Sequence, residues 1–183
     1  MELDKAIKER RSVRSFNSRT PDWRTIIECI DSMRYAPMAG NAFSLKFILV
    51  DDPEKIVKLA QAAQQDYVAQ SQYVLVVCSD KKITVNEYGK RGEIYLHQQA
   101  GAAIQNLLLR IVEEGLATCW VGHFVENQVK KTLSIPPEIN IECILPIGYE
   151  EGKIHRKRKP ELDNFLFFNK YKNKKLWKPH RVD

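Results

Sequence analysis

The sequence predicts an α+β protein in which helices cover both faces of a central sheet, giving three layers. Residues 73–78 are apolar at successive positions, which is typical of a strand buried on both faces. Apolar residues recur at spacings of three and four over residues 93–114, which predicts a long amphipathic helix. Shorter helical and strand-like segments alternate along the rest of the chain. Because a strand buried on both faces needs a helical layer on each side, these observations indicate a sandwich.

The elements that precede the central strand are predicted from hydrophobic period and capping. A helical period predicts the first helix over residues 3–9. Thr20, Pro21 and Asp22 announce a second helix, with a cap-like residue ahead of its apolar stripe. This helix must end before Pro37 because a residue that precedes proline avoids the helical region. β-branched and aromatic residues predict a strand over residues 46–50, and Asp51, Asp52 and Pro53 then open a third helix that continues to about Ala63.

The elements in the second half of the chain are predicted from the same kinds of signal. Gly115 ends the long helix, since glycine readily adopts the left-handed conformation that terminates helices. Short apolar runs then predict strands over residues 118–121 and 142–147, with a helix over residues 126–133 between them. No segment has the roughly 18 to 20 consecutive apolar residues of a membrane span.

Length and composition predict one domain over residues 1–183. The chain has 183 residues, of which 44% are hydrophobic and 28% charged, as in ordinary globular proteins. Its last segment, residues 162–183, interleaves aromatic residues with lysines. An aromatic surface left in water promotes association, so we expect this tail to pack on a partner subunit.

The net charge of +6 is concentrated at the two ends of the chain, which suits an anionic partner. A nucleic acid would be one such partner, but a solvated lysine-rich surface explains most of the tail lysines, and we expect neither a nucleic-acid nor a membrane partner.

The cysteines predict neither a metal site nor a disulfide. Cys29, Cys78, Cys119 and Cys143 lie in apolar surroundings without a CxxC pair, and the histidines lack metal-ligand spacing. The N-terminus carries charges where a signal peptide needs an apolar stretch, so we expect a cytoplasmic protein with reduced thiols.

Two clusters carry the residue types that anion and ring binding require. Arg10, Arg11, Ser12 and Arg14 present guanidinium forks and a hydroxyl, which match the oxygens of a phosphate, although a solvated helix end has the same composition. The second cluster is a turn of small residues, which would let a flat heterocycle approach the backbone, although a turn without a binding role has the same composition. Its candidate binding residues are Pro37, Met38, Ala39 and Asn41.

Two further segments make the order of motifs informative. Residues 115–122 read GLATCWVG, and residues 145–149 read LPIGY ahead of an RKRKP run at 156–160. Together with the clusters at 10–14 and 37–41, they resemble the nitroreductase family of FMN-dependent oxidoreductases along almost the whole chain. The resemblance implies a three-layer α/β/α sandwich with a central, mostly antiparallel sheet, and a homodimer with its active sites at the interface.

The resemblance also assigns the candidate residues. It implies that Arg10, Arg11 and Ser12 hold the FMN phosphate with help from Arg156 and Arg158, and that Arg14 lies toward the flavin pyrimidine. The turn of Pro37, Met38, Ala39 and Asn41 would contact a flavin held mainly by the other subunit. Val121 and Gly122 would place main-chain groups near the reactive ring face.

The implied reaction is hydride transfer from NADH or NADPH, through flavin N5, to a small organic acceptor such as a nitroaromatic or quinone, by a ping-pong mechanism. No catalytic side chain is required, and His123 is interpreted as a pocket-lining or interface residue. The alternatives are a specialised member such as a reductive dehalogenase, a non-catalytic flavin-binding protein and, more distantly, a basic nucleic-acid-binding module.

Three departures from the family pattern concern the acceptor pocket. Residues 42–46 read AFSLK where Gln-Pro-Trp is common, Met38 stands where serine is frequent, and Gln99 stands where an acidic residue is common. The connection over residues 79–92 is short for an inserted lid, so we expect an open pocket that tolerates varied acceptors.

Overall fold

A computed structural model describes residues 2–152 and 158–176. The chain divides into two compact units, Met1–Gly152 and Lys153–Asp183. The first unit contains the sheet and its helices. A single domain over the whole chain, with its tail on a partner subunit, stays a prediction.

The sheet has four strands in the order β1-β2-β4-β3, and every neighbouring pair is antiparallel. The prediction of an α+β fold with a mostly antiparallel sheet is therefore confirmed. The predicted strand at residues 118–121 is a two-residue strand followed by an isolated bridge between Val121 and Ile144. The strands are β1 (Leu45–Val50), β2 (Tyr73–Ser79), β3 (Ala117–Thr118) and β4 (Asn140–Gly148).

The helices follow the predicted order with one addition. The connection between the central strand and the long helix contains a further helix, α4, and Gly89, with a φ of 55°, separates it from α5. The helices are α1 (Leu3–Glu9), α2 (Trp23–Asp31), α3 (Pro53–Ala63), α4 (Lys82–Tyr88), α5 (Lys90–Glu113) and α6 (Glu126–Leu133), with 3-10 turns at Ser32–Tyr35, Ala39–Asn41, Asp66–Gln70 and Leu162–Asn164.

Burial of β2 on both faces explains its uninterrupted apolar sequence. Leu75 and Val77 face one apolar core, which they share with α2 and α5. Val74 and Val76 face a second core, which contains the apolar side chains of α3 and α6. Alternate residues of a strand point to opposite faces, so neither face of β2 can be polar. These two cores are the two interfaces of the three-layer sandwich.

The helix starts agree with their sequence signals. The Asp22 carboxylate accepts a hydrogen bond from the backbone N–H of Arg24 at 2.9 Å, which caps α2. Asp52 accepts from the N–H groups of Glu54 and Lys55 at 3.0 and 3.3 Å and caps α3. Each bond satisfies a donor that the first helical turn leaves unpaired.

The cysteines are all buried free thiols. Burial raises the pKa of Cys29 to about 12 and that of Cys78 to about 11, and it also raises the pKa of Cys143. These three side chains therefore remain protonated at neutral pH and are poor nucleophiles, because the thiolate is the reactive form. Across residues 2–152 and 158–176, no group of three or more His, Cys, Asp or Glu side chains is placed to hold a metal ion. In the same ranges, no helix combines the length and apolarity needed to cross a membrane.

The second unit is described separately. Phe167 and Tyr171 form an edge-to-face pair with centroids 5.1 Å apart, and the Lys174 ammonium lies 4.3 Å from the Phe167 ring centroid. Phe165 and Tyr171 are 55% and 79% exposed. The tail thus has local structure of its own and an aromatic surface.

Candidate functional site

The basic cluster at residues 10–14 follows α1 and lies along one edge of the sheet. The backbone N–H of Val13 donates to the Thr118 carbonyl of β3 at 3.0 Å. Further along, the N–H of Asn17 donates to the carbonyl of Tyr149 at 3.0 Å, just beyond β4. These two bonds hold the backbone of the segment that carries the arginines against the sheet. Ser12 and Arg14 are exposed, and Arg10 is half-buried.

Arg11 is held by an ion pair that sequence reasoning missed. Its Nη2 donates to Oε2 of Glu150, and its Nη1 donates to the Glu9 carbonyl at 3.3 Å. The Arg11 and Glu150 side chains are only 24% and 23% exposed, so the pair is partly screened from water. Within the described residues, the buried Nε of Arg11 has no hydrogen-bond partner. One donor of this guanidinium is therefore left unsatisfied by the described residues.

Tyr67 and Cys119 form a second polar contact near this cluster, and the charge of Arg14 acts on the Tyr67 hydroxyl. The Tyr67 hydroxyl donates to Sγ of Cys119 at 3.5 Å. Burial, together with the hydrogen bond to Cys119, raises the pKa of Tyr67 to about 12. The hydroxyl is therefore neutral at physiological pH.

Val121 and Gly122 lie beside this cluster on the same edge of the sheet. Val121 is buried and exchanges two 3.0 Å backbone hydrogen bonds with Ile144 of β4. Gly122 is exposed, and a Cβ at this position would approach only Nε1 of Trp120, at 3.9 Å, among the described atoms. A planar ligand can thus approach the backbone here. His123 is exposed.

The turn of Pro37, Met38, Ala39 and Asn41 is located elsewhere. It contains two consecutive positive φ angles, 58° at Gly40 and 55° at Asn41. A Cβ on Gly40 would lie 2.6 Å from Oε2 of Glu87 and 2.7 Å from the Tyr88 hydroxyl, so the turn packs closely on α4. Pro37 and Asn41 are exposed, while Met38 and Ala39 are half-buried.

The two candidate groups lie at opposite corners of the sheet. The turn leads into β1, whose first residue pairs through β2 with Asn140 at the start of β4. The basic cluster is bound to Thr118, which pairs with Ile147 near the end of β4. Seven residues of strand separate those two β4 positions by about 23 Å, and β1 and β3 are opposite edges of the sheet. A single chain therefore does not bring the two groups together.

Gln99 on α5 secures the segment that follows the turn. Its Oε1 accepts from the N–H of Ser44 at 3.1 Å, and its Nε2 donates to the carbonyl of Ala42 at 3.1 Å. The residue is 3% exposed. The Ser44 N–H needs an acceptor and the Ala42 carbonyl needs a donor, and an amide side chain supplies both. This explains why glutamine occupies a position at which the resemblance predicts an acidic residue.

Replacing Gln99 by glutamate is expected to lower the free energy of unfolding at pH 7 by about 1–3 kcal/mol, because the carboxylate cannot donate to Ala42 and its charge is buried. A buried carboxyl group has a raised pKa, so the folded variant binds a proton more readily than the unfolded one. Protonation restores the missing donor, and the defect should shrink as the pH falls.

Urea denaturation of the variant at pH 7 and pH 5 measures this effect. The control is Gln98→Glu, at an exposed position of the same helix, which should change stability by less than about 0.5 kcal/mol. Equal stabilities of the two variants at pH 7 would contradict the role of Gln99.

A further polar group near the same corner had no sequence signal. The Ser79 hydroxyl donates to Oε1 of Glu142 at 2.5 Å, and Nδ1 of His97 lies 3.0 Å from Oε2. Glu142 lies where the β2–β4 register shifts, and such a bulge reorients a side chain. These contacts link α5 to the sheet.

Two surface cavities lie outside the candidate groups. One, of about 440 Å³, is lined by residues that include Asp51, Ser71 and Tyr73; the other, of about 500 Å³, is lined by residues that include Ile27, Tyr35 and Arg110. Neither is lined by the predicted site residues.

The second basic cluster is only partly described. Arg156 lies outside the described residues. Arg158 belongs to the second unit, where its Nη2 donates to Oε1 of Glu161 at 2.7 Å. Convergence of the two basic clusters on one phosphate stays a prediction.

Comparison with known proteins identifies the family. The sequence model of the nitroreductase family matches residues 7–81 and 61–149, which together cover more than half of the chain. The chain belongs to the nitroreductase family. The resemblance found in the order of its motifs is thereby confirmed.

Relatives of this nitroreductase-family chain include an Archaeoglobus fulgidus protein provisionally named as an NADH dehydrogenase/NAD(P)H nitroreductase. The two are 27% identical over 154 residues, covering 81% of this chain and 86% of the relative. An iodotyrosine deiodinase from Thermotoga neapolitana is 22% identical over 170 residues, covering 79% of this chain and 86% of the relative.

Solved structures agree on the fold. A nitroreductase-family protein from Clostridium novyi superposes with a TM-score of 0.76 at 25% identity, covering 94% of this chain and 96% of that one. An FMN-dependent nitroreductase from Clostridium difficile superposes with a TM-score of 0.79 at 22% identity, covering 91% and 98%.

Proposed function

We propose that this chain is an FMN-dependent oxidoreductase that passes hydride from NADH or NADPH to a small organic acceptor, such as a nitroaromatic or a quinone, by a ping-pong mechanism. The observation that carries the proposal is the cluster at residues 10–14, which is fixed against β3 beside the exposed backbone of Gly122. Family membership and the names of the relatives support the same activity.

The residues of this cluster fit a phosphomonoester. Arg10 and Ser12 offer donors to solvent, and the buried Nε of Arg11 lacks a partner within the described residues. A guanidinium that is already oriented by Glu150 loses little freedom when it binds an anion. We propose that these three residues hold the FMN phosphate, with Arg156 and Arg158 contributing from the other end of the chain.

A homodimer completes the proposed site. Because Pro37, Met38, Ala39 and Asn41 lie at the opposite corner of the sheet from the basic cluster, a second copy is needed to place them against the same flavin. A two-fold axis would create two equivalent sites, each formed from both subunits. The exposed aromatic tail is proposed to pack on the partner, and the protein is proposed to act in the cytoplasm.

The protein's own contributions are binding and electrostatics. When bound, the flavin supplies the hydride chemistry through N5. The positive charge of Arg14 would stabilise negative charge on the pyrimidine side of the ring. Val121 and Gly122 leave room for the ring at the backbone. Cys29, Cys78 and Cys143 are protonated and buried, and so are unsuited to nucleophilic catalysis.

Three alternatives remain. A reductive dehalogenase has some support from the deiodinase relative, but the connection over residues 79–92 holds only the short helix α4. A flavin carrier without turnover would share the binding residues. A nucleic-acid-binding module would explain the net charge, but family membership favours the oxidoreductase.

Purification and one titration separate these functions. We expect a yellow dimer whose flavin bleaches when NADH or NADPH is added without oxygen, and regains colour with a quinone or nitroaromatic. Colour without bleaching would indicate a carrier. A colourless protein that binds no added FMN would contradict the proposal, and salt-sensitive binding of nucleic acid by that protein would favour the third alternative.

A further inference from the structure

We propose that Trp120 binds the acceptor: its indole N–H donates to a quinone or nitro oxygen while that oxygen gains negative charge. The inference rests on the proposed function and deepens it, because it assigns a contact with the acceptor to a side chain that had no role in the sequence reasoning. Trp120 lies between the two-residue strand β3 and the bridge at Val121, within the segment GLATCWVG.

The backbone at Trp120 is held by hydrogen bonds on both sides. The Tyr67 hydroxyl donates to Sγ of Cys119 at 3.5 Å, and this thiol donates weakly to the Trp120 carbonyl at 3.9 Å. On the other side, Val121 exchanges two 3.0 Å backbone hydrogen bonds with Ile144. The fold therefore fixes the point from which the indole projects.

The Trp120 side chain faces away from the core because both of its neighbours face into it. Cys119 and Val121 are 1% and 5% exposed, whereas Trp120 is 41% exposed. Successive side chains of an extended segment point to opposite sides, so burial of the two neighbours directs the indole outward. A large aromatic side chain thus stands at the surface beside the proposed flavin site.

The indole N–H lies next to the exposed backbone of Gly122. Apart from its chain neighbours, a Cβ on Gly122 would meet only one described atom within 4 Å, Nε1 of Trp120 at 3.9 Å. Among the described residues, no hydrogen-bond partner of this Nε1 is found. An indole N–H can only donate, so it suits a carbonyl or nitro oxygen. A flat acceptor stacked on a ring beside Gly122 would bring such an oxygen within its reach.

The proposed reaction creates the charge that this donor would stabilise. A quinone that takes up a hydride, with the two electrons released by the reduced flavin, carries negative charge on an oxygen until one proton from water completes the hydroquinone. A donor directed at that oxygen stabilises the transition state more than the neutral quinone, so it accelerates acceptor reduction. Hydride loss from NADH leaves a pyridinium cation instead, and that half of the cycle should not need the indole N–H.

Trp120→Phe removes the N–H and keeps an aromatic ring, and Trp23→Phe is the matched control at another exposed tryptophan, on α2. Rapid mixing of the FMN-loaded protein measures two rates separately: reduction by NADH or NADPH, and reoxidation by 1,4-benzoquinone. We expect Trp120→Phe to slow reoxidation about five- to twentyfold, which is typical for loss of one hydrogen bond to a charged group. Reduction and FMN affinity should stay within about twofold of wild type. The control should match the wild type throughout.

Reoxidation by ferricyanide distinguishes the hydrogen bond from a structural effect. Two ferricyanide ions take one electron each, the protons pass to water and no oxyanion forms, so Trp120→Phe should react at the wild-type rate. If the variant reacts normally with the quinone, or slows equally with ferricyanide, the role of Trp120 is refuted while the proposed function stands. Slower reduction or weaker FMN affinity would place the N–H on the flavin and also refute it. A wild-type protein that binds no FMN would refute both.

Discussion

Replacing Arg10 by alanine is expected to weaken FMN binding about 10- to 100-fold. The loss of one charge-assisted hydrogen bond to a phosphate corresponds to about 1.5–3 kcal/mol. Arg10 is suited to this test because it is the C-cap residue of α1, and its side chain forms no ion pair among those found in the described residues. Arg11→Ala would be harder to interpret, since it also leaves the partly buried carboxylate of Glu150 unpaired.

Fluorescence titration of FMN into the apoprotein measures this affinity. Lys58→Ala removes one exposed positive charge from α3, so it controls for net charge alone. Loss of a cation at the end of α1 costs about 0.3–1 kcal/mol of stability, which leaves the variant folded. A dissociation constant for Arg10→Ala within twofold of the Lys58→Ala value would contradict the placement of the phosphate.

Replacing Gly92 by alanine is expected to lower the free energy of unfolding by about 1–3 kcal/mol, although alanine is the better helix former. A Cβ at this position would lie 2.2 Å from the carbonyl oxygen of Thr84 and 2.7 Å from the backbone nitrogen of Val85. Both atoms belong to the backbone of α4, so no side-chain rotation relieves the clash. The two helices must separate.

Gly101→Ala is the matched control on the same helix. A Cβ there meets no described atom within 4 Å, so we expect a gain of about 0.5–1 kcal/mol from helix propensity. Urea denaturation of both variants at one protein concentration makes the comparison, because the stability of a dimer depends on concentration. If both alanines stabilise the protein, the close packing of α4 on α5 is wrong.

The contrast between Gly92 and Gly101 shows a limit of the sequence. Gly101 lies inside the helical pattern over residues 93–114 and Gly92 immediately precedes it, and no local signal shows that one of them must stay small. Only the position of α4, which was predicted as a plain connection, makes one of them indispensable. Its apolar residues are too few and too weakly periodic to predict a helix from sequence.

The same limit applies to the candidate site. Local chemistry identified Arg10, Arg11, Ser12 and Arg14, because guanidinium and hydroxyl groups within one turn suit phosphate. It missed Glu150, which lies 139 positions from Arg11 and meets it only because the chain after β4 returns beside the N-terminal segment. The structural role of Gln99 was missed for the same reason, since its partners Ala42 and Ser44 lie more than 50 positions away.

The sequence by itself determined the family, the layer order and most element boundaries. Hydrophobic period, N-caps and motif order are local properties, and the apolar run of β2 already required helices on both sides of the sheet. Only the tertiary structure decided which donor of the basic cluster is left unpaired within the described residues, which of its arginines forms an ion pair with Glu150 and which glycine of α5 must stay small. Those properties depend on strand register and helix packing, which bring distant residues within hydrogen-bond range and which no local pattern encodes.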